Sequence, residues 1–319
     1  MPQNDATDLR TYSYLGPRGT FTEAALAQVA EAEGQIWRSV NNVGEAFSDV
    51  ANGVADGAVV ALENSIDGGV SAAQDALATT PGLRIMGEYL VPVDFNVVAR
   101  AGTTLDQVTH LNGHPVAYAQ CRRWIETHLP GHTHIPSTSN VAAAANLLES
   151  DVADAAIAPP TITDHYDLEI LAEHIGDNIN AVTRFVLVTM SRSIPDPTGA
   201  DKTSFVAELP VDQPGALLDM LEQLSTRGVN MSMIQSRPIG DELGRYRFVI
   251  DIDGHIRDER VADALMGIHR FSPRVTFLGS YPRADKAPVR FDARYDDDVY
   301  IEARDWLRGL ISGEPNPEG

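Results

Sequence analysis

At 319 residues the chain is longer than one hydrophobic core usually serves, so two or three domains are expected, and 43% apolar content suffices to fill them. A net charge of −21 excludes the clustered cations needed to neutralise nucleic-acid phosphates or to sit on an anionic membrane. No run of eighteen apolar residues offers a membrane span, and the polar start MPQNDATDLR is unlike an export signal, so a cytoplasmic protein is expected.

The single cysteine, Cys121, cannot form an internal disulfide; a small buried side chain is favoured over a nucleophile. Lys202 and Lys286 are the only lysines, so an anionic small molecule has to be met by arginines in structured loops, whose planar fork suits carboxylates.

Over residues 11 to 190 short extended runs alternate with helical stretches, the signature of an α/β domain with mostly parallel strands. TYSYL (11–15), GAVVAL (57–62), PVAYA (115–119), DAAIA (154–158) and RFVLV (184–188) read as strands. FTEAALAQVAEAE, GVSAAQDALA, CRRWIETHL and NVAAAANLLES read as helices. Thr20 with Glu23, and Ser71 with Gln74, have capping-box spacing at two helix starts. MSRSIPDPTGADK (190–202) has no apolar period and reads as a linker, 191–203, between domains at 1–190 and 204–282. Beyond it TSFVAELP, PGALLDMLEQLSTRG, VNMSMIQSRP, GRYRFVIDIDG, RDERVADALMGIHRF and SPRVTFLGSYP give strand, helix, strand, strand, helix, strand, a split βαβ ferredoxin-like order. Leu217, Leu218, Leu221 and Leu224 are expected to form the sheet-facing side of the first of these helices. Residues 283–319 form a polar tail with one amphipathic stretch, VYIEARDWLRGLI.

Three loops can carry chemistry. GPRGTF (16–21) joins a strand to a capped helix and suits an anion, unless it is an ordinary tight turn; the GxGxxG spacing of a dinucleotide site is missing. Glu63, Asn64 and Ser65 put an acceptor, an amide and a hydroxyl side by side after the second strand, unless they merely satisfy their own turn. Thr183, Arg184 and Phe185 put a hydroxyl, a guanidinium and an aromatic face at a strand mouth, a set that suits an aromatic-like carboxylate but also an ordinary strand start. His114, Gln120, Arg122 and Arg123 lie near another turn; with a single cysteine there is no paired-Cys motif, and no metal is expected.

Taken in order, YLGPRGTFTEAAL, ALENSIDGGVSAAQDAL, HPVAYAQCRRW, STSNVAAA and NAVTRFVLV resemble the prephenate dehydratase family. DQPGALLDML and IQSRP resemble the ACT regulatory domain, over residues 204 to about 282. With no chorismate mutase segment ahead of the first strand, the chain resembles the monofunctional form. The resemblance implies two α/β lobes like a type II periplasmic binding protein, a cleft between them, and a ferredoxin-like ACT domain behind. It implies catalytic roles for Thr183, Glu63, Asn64 and Ser65. Arg184, Phe185, Thr20, Phe21 and Gln120 would bind substrate, and Gly215, Ala216, Leu217, Gln235, Ser236 and Arg237 an effector. Two departures stand out: VDFNVVA replaces a His-Cys-Leu segment common in the family, and the usual Glu-Ser-Arg-Pro is Gln235-Ser236-Arg237-Pro238.

The reaction so implied, loss of CO2 and water from prephenate to give phenylpyruvate, needs no cofactor because aromatisation drives it. Arg184 is then expected to hold the retained carboxylate, Phe21 and Phe185 to flank the ring, and Thr183 or Glu63 to protonate the departing hydroxyl. Phenylalanine is the expected effector, at the interface of a homodimer or homotetramer. Arogenate dehydration, and a non-catalytic two-lobed sensor, are the alternatives.

Overall fold

The computed structural model describes residues 9–66, 68–210, 213–240 and 245–313. Two units emerge: residues up to Ala73 with Tyr89–Val188, and Gln74–Glu88 with Thr189 onward. In chain order the first half runs β1 (Thr11–Leu15), α1 (Phe21–Leu26), β2 (Ile36–Val40), α2 (Val43–Ala51), β3 (Gly57–Asn64), the two-residue β4 (Gly68–Gly69), α3 (Ser71–Thr79), β5 (Arg84–Pro92), β6 (Asn96–Ala99) and β7 (His110–Gly113). It continues through α4 (Pro115–Gln120), α5 (Arg122–His128), β8 (Thr133–Pro136), α6 (Asn140–Glu149), β9 (Ala155–Ala158), β10 (Glu169–Ala172) and β11 (Val182–Thr189).

The first half of the chain forms two lobes. One is built on a sheet of order β2-β1-β3-β11-β5, with β4 added to β3; the other on a sheet of order β10-β6-β9-β7-β8. β1 runs parallel to β2 and β3, while β11 returns antiparallel to β3. In the second lobe β7 is parallel to β8 and β9. The apolar runs explain the layering: Val59, Val60, Val97, Val98, Ala156 and Ile157 are all fully buried, as strands covered on both faces must be. Two crossings join the lobes, and they lie side by side, Val93 N–H donating to Ala181 O at 2.8 Å and Ile175 N–H to Phe95 O at 2.9 Å.

The second unit contains β12 (Asp201–Glu208), α7 (Ala216–Ser225), β13 (Met231–Pro238), β14 (Tyr246–Asp253), α8 (Glu259–Phe271), β15 (Val275–Pro282) and α9 (Asp297–Ser312). Its sheet, β13-β14-β12-β15, is antiparallel with the two central strands buried, the ferredoxin-like order expected from the sequence. Phe205, Met220, Leu224, Ile250, Val261 and Ile268 form its core. Leu218 corrects the expected helix face: it is 60% exposed, and Met220 takes the inward position instead. The stretch 299–311 lies within α9, which has no buried residue.

PVAYA, read as a strand, is helix α4. His114 caps it and Pro115 occupies its first turn, where the missing N–H costs nothing and the fixed φ suits a helix. Only Ala117 of that helix is buried, so its apolar residues do not alternate between two faces of a sheet. FTEAALAQVAEAE is not one helix but α1 followed by a 3-10 turn at Ala30–Ala32, a break that buries Val29 and Ala32. Strands β2 and β8 escaped the apolar pattern because each lies at a sheet edge with much of its length exposed.

Candidate functional site

The strand register assembles the central cluster. β11 pairs with β3 so that Thr183 lies opposite Asn64 and Arg184 opposite Glu63, bringing together two segments that are 119 residues apart. Ser65 closes the corner, its N–H donating to Val182 O at 2.9 Å and its hydroxyl accepting from Val182 N–H at 3.0 Å.

Within this corner the hydrogen-bond directions are determined. Asn64 Oδ1 accepts from the Ile66 N–H at 2.8 Å, which fixes the amide so that Nδ2 donates to Thr183 Oγ1, also at 2.8 Å. The Thr183 hydroxyl therefore acts as acceptor toward Asn64 and keeps its own proton to donate elsewhere. Thr183 is 7% exposed, so that proton sits in a largely dry place. Arg184 is also buried, with Nε 3.3 Å from Glu63 Oε2, so the guanidinium has a carboxylate partner within the protein. Phe185 is 2% exposed and faces Ala61 across the ladder, which leaves its ring little surface to offer a ligand.

The loop after β1 ends at the same edge of the sheet. Gly16 is required there: a Cβ would lie 1.7 Å from Ser39 Oγ on the neighbouring strand. Gly19 has φ +86°, a backbone that glycine adopts without strain. The expected cap at Thr20 is present, Oγ1 accepting from Glu23 N–H at 3.3 Å, while the Glu23 carboxylate accepts from Gly19 N–H at 2.6 Å.

Three helix starts then converge on one pocket of about 210 Å³, lined by Thr20, Phe21, His114, Ser139, Asn140 and Pro159 among others. Thr20 caps α1, His114 caps α4 through Nδ1 accepting from Val116 N–H at 3.3 Å, and Ser139 caps α6 by accepting from Ala142 N–H at 2.9 Å. Unpaired first-turn N–H groups and aligned peptide dipoles make such ends attractive to anions. Backbone N–H groups at these three helix starts are thus, beside the arginines, groups that can meet an anion. Sequence reading missed this because α4 passed for a strand; the His-Pro pair was the signal that could have found it.

Gln120, at the far end of α4, lines a second pocket of about 470 Å³ with Ile66, Pro115, Val116, Asp177 and Asn178. Ile66 directly follows the Glu63-Asn64-Ser65 corner, so this pocket adjoins it along the chain. Arg122 and Arg123 are exposed on α5. Arg122 pairs with Glu126, and the Arg123 N–H is taken by Asp177. Cys121 is fully buried, and that burial, followed by the charges of Asp177 and Asp94, pushes its thiol up, away from nucleophilic use. No group of three or more metal-ligating side chains occurs among the described residues.

In the second unit Gly215, with φ +89°, opens α7, followed by buried Ala216 and half-buried Leu217. Gln235 and Ser236 lie on β13, the outer strand of the sheet, opposite Val249 and Phe248. Arg237 is gripped by Asp75 through two parallel bonds of 2.9 and 2.7 Å. Asp212 of the DQPGALLDML motif lies outside the described residues.

A family model for prephenate dehydratase matches residues 12–193, and one for the ACT domain matches residues 203–270. The prephenate dehydratase of Amycolatopsis methanolica is 37% identical over 303 residues, covering 95% of this chain and 98% of its own. That of Mycolicibacterium gilvum is 40% identical over 317 residues, covering 95% and 99%. Among solved structures, prephenate dehydratase from Arthrobacter aurescens in complex with L-Phe superposes with a TM-score of 0.91 at 49% identity, covering 95% of this chain and all of that one.

Proposed function

The chain belongs to the prephenate dehydratase family, and on that premise we propose how its cleft turns prephenate into phenylpyruvate, CO2 and water. The reaction breaks the C–C bond to the ring carboxylate and the C–O bond to the ring hydroxyl; the hydroxyl leaves with a proton as water, and the ring becomes aromatic. The chain is thus a carbon–oxygen lyase of phenylalanine biosynthesis. Its residues have to hold a dianion, supply one proton, and avoid over-stabilising the carboxylate that must lose its charge.

The Asn64–Thr183 hydrogen bond carries the assignment of the proton donor. With Oγ1 already accepting from an amide whose orientation Ile66 fixes, the hydroxyl hydrogen is left to point at a substrate oxygen. Thr183 then donates to the departing hydroxyl, with Asn64 and Ser65 holding the corner in shape. Glu63 keeps Arg184 in place, and the pair can reopen so that the guanidinium takes the retained pyruvyl carboxylate. The convergent helix starts at Thr20, His114 and Ser139 supply a second anion-attracting surface, Phe21 contributes apolar area beside it, and Gln120 lies at the adjoining pocket.

For the ACT domain we propose phenylalanine as effector, bound where Gly215, Ala216 and Leu217 and the Gln235-Ser236-Arg237 strand meet a second copy in a homodimer or homotetramer. The L-Phe complex of the Arthrobacter aurescens relative supports this reading. Among the described residues no helix is long and apolar enough to cross a membrane, which fits a small-molecule enzyme of the cytoplasm.

The test is to incubate the purified chain with prephenate at neutral pH and follow phenylpyruvate by its absorbance in alkali, with and without phenylalanine. Rapid formation and a phenylalanine-dependent rate are expected. Arogenate supplied in competition distinguishes the aminated substrate: if it is consumed and prephenate is not, the substrate assignment is wrong.

A further inference from the structure

One polar contact across the cleft takes no part in the chemistry above. Glu23, on α1 of the first lobe, brings Oε2 within 3.2 Å of Nε2 of His165, which ends the 3-10 turn Pro160–Asp164 of the second lobe. Both side chains are mostly covered, at 14% and 29% exposed. The same carboxylate oxygen accepts from Gly19 N–H, so it ties the loop before α1 to the far lobe.

Two apolar contacts reinforce that tie. A Cβ on Gly19 would lie 3.3 Å from both the His165 ring and Ile162, so the loop backbone is pressed against the turn. Phe21 meets Phe95 edge-on, with ring centroids 5.7 Å apart, and packs on the second lobe's core. The loop that carries Thr20 and Phe21 is therefore anchored on the opposite lobe at three places, and only the Glu23–His165 contact is polar. Tyr14 lies beside Glu23 and also meets Arg18, and Asp164 precedes His165.

We propose that Glu23 and His165 form a clasp that holds the two lobes in their binding arrangement, and that both are positioning residues for the dehydration. The proposal rests on the reading that this cleft binds prephenate. Breaking the clasp lowers the fraction of molecules in which Thr20 and Phe21 face His114 and Ser139. Apparent affinity falls by that fraction, whereas an enzyme saturated with substrate is drawn back to the same arrangement. The expected signature is a raised KM at nearly constant kcat.

His165→Ala, at a partly exposed position, should raise KM for prephenate roughly 3- to 30-fold with kcat within about 2-fold, the range set by a partly covered charged contact. His165→Gln, whose amide can still donate to Glu23, should recover most of the loss. In a Glu23→Gln background His165→Ala should cost distinctly less than in the wild type. Small-angle X-ray scattering of the unliganded His165→Ala chain should show a larger radius of gyration than the wild type.

An unchanged KM in His165→Ala, a fall in kcat at constant KM, or full additivity of the two substitutions would each overturn the clasp. If the wild type leaves prephenate untouched, the substrate reading fails by itself; the clasp is then judged by scattering, and an unaltered radius of gyration overturns it.

Discussion

At the scale of single residues the strongest constraint is on Thr183. Its hydroxyl accepts from Asn64, and positioned proton donation is commonly worth about 100- to 10,000-fold in rate. Thr183→Ala should lower kcat by that order with little change in fold, and Thr183→Ser should retain a substantial part of it; a Thr183→Ala chain with wild-type turnover would sink the assignment. Gly16 makes a purely structural prediction. Since a Cβ there would fall 1.7 Å from Ser39 Oγ, Gly16→Ala should cost about 1 to 3 kcal/mol by overpacking, and Ser39→Gly should restore most of it in urea denaturation. The Thr183-Arg184-Phe185 set was legible as residues, but its internal division of labour was not. Three consecutive positions in a strand look equivalent in a sequence, whereas in the sheet Phe185 is 2% exposed and Arg184 already has Glu63 as partner.

Among the elements, the crossing between the lobes carries an ionisable pair. Asp94 accepts a hydrogen bond from His174 Nδ1, and that bond, followed by the carboxylate's charge, raises the imidazole above its ordinary value. A raised folded value means the pair's contribution is fully present below about pH 6.5 and is lost as pH rises through the folded value. NMR titration should find His174 charged to higher pH than a free imidazole, and Asp94→Asn should return it toward ordinary behaviour. In the second unit Lys202 and Glu88 meet at 2.8 Å, 9% and 7% exposed. Lys202→Ala should cost about 3 to 5 kcal/mol because it leaves a buried carboxylate without its ammonium; denaturant unfolding measures it. The elements also show where local reading failed. α4 reads as a strand from Val116, Ala117, Tyr118 and Ala119 alone, and its identity follows from the His114 cap and Pro115 that precede them.

For the whole molecule, regulation requires that an effector bind one global state better than another. Phenylalanine at 100 times its Kd should stabilise the chain by about 2.7 kcal/mol in thermal unfolding, and tyrosine or tryptophan at equal concentration should do so less. No shift with any of the three would remove the sensing role. Position 235 is the uncharged Gln where the family resemblance leads one to expect Glu, so Gln235→Glu is the variant in which to look for altered effector affinity.

By itself the sequence determined the α/β character of the first unit and the ferredoxin-like order of the second, and it marked the loops proposed above to carry chemistry, because apolar period, caps and turn residues are local properties of the chain. Only the tertiary structure decided which loops meet. The β3–β11 register put Asn64 against Thr183, the parallel strands brought three helix starts to one pocket, and the approach of two lobes joined Glu23 to His165. Such contacts join residues far apart in sequence and depend on how sheets pair and lobes pack, which no local pattern of side chains records.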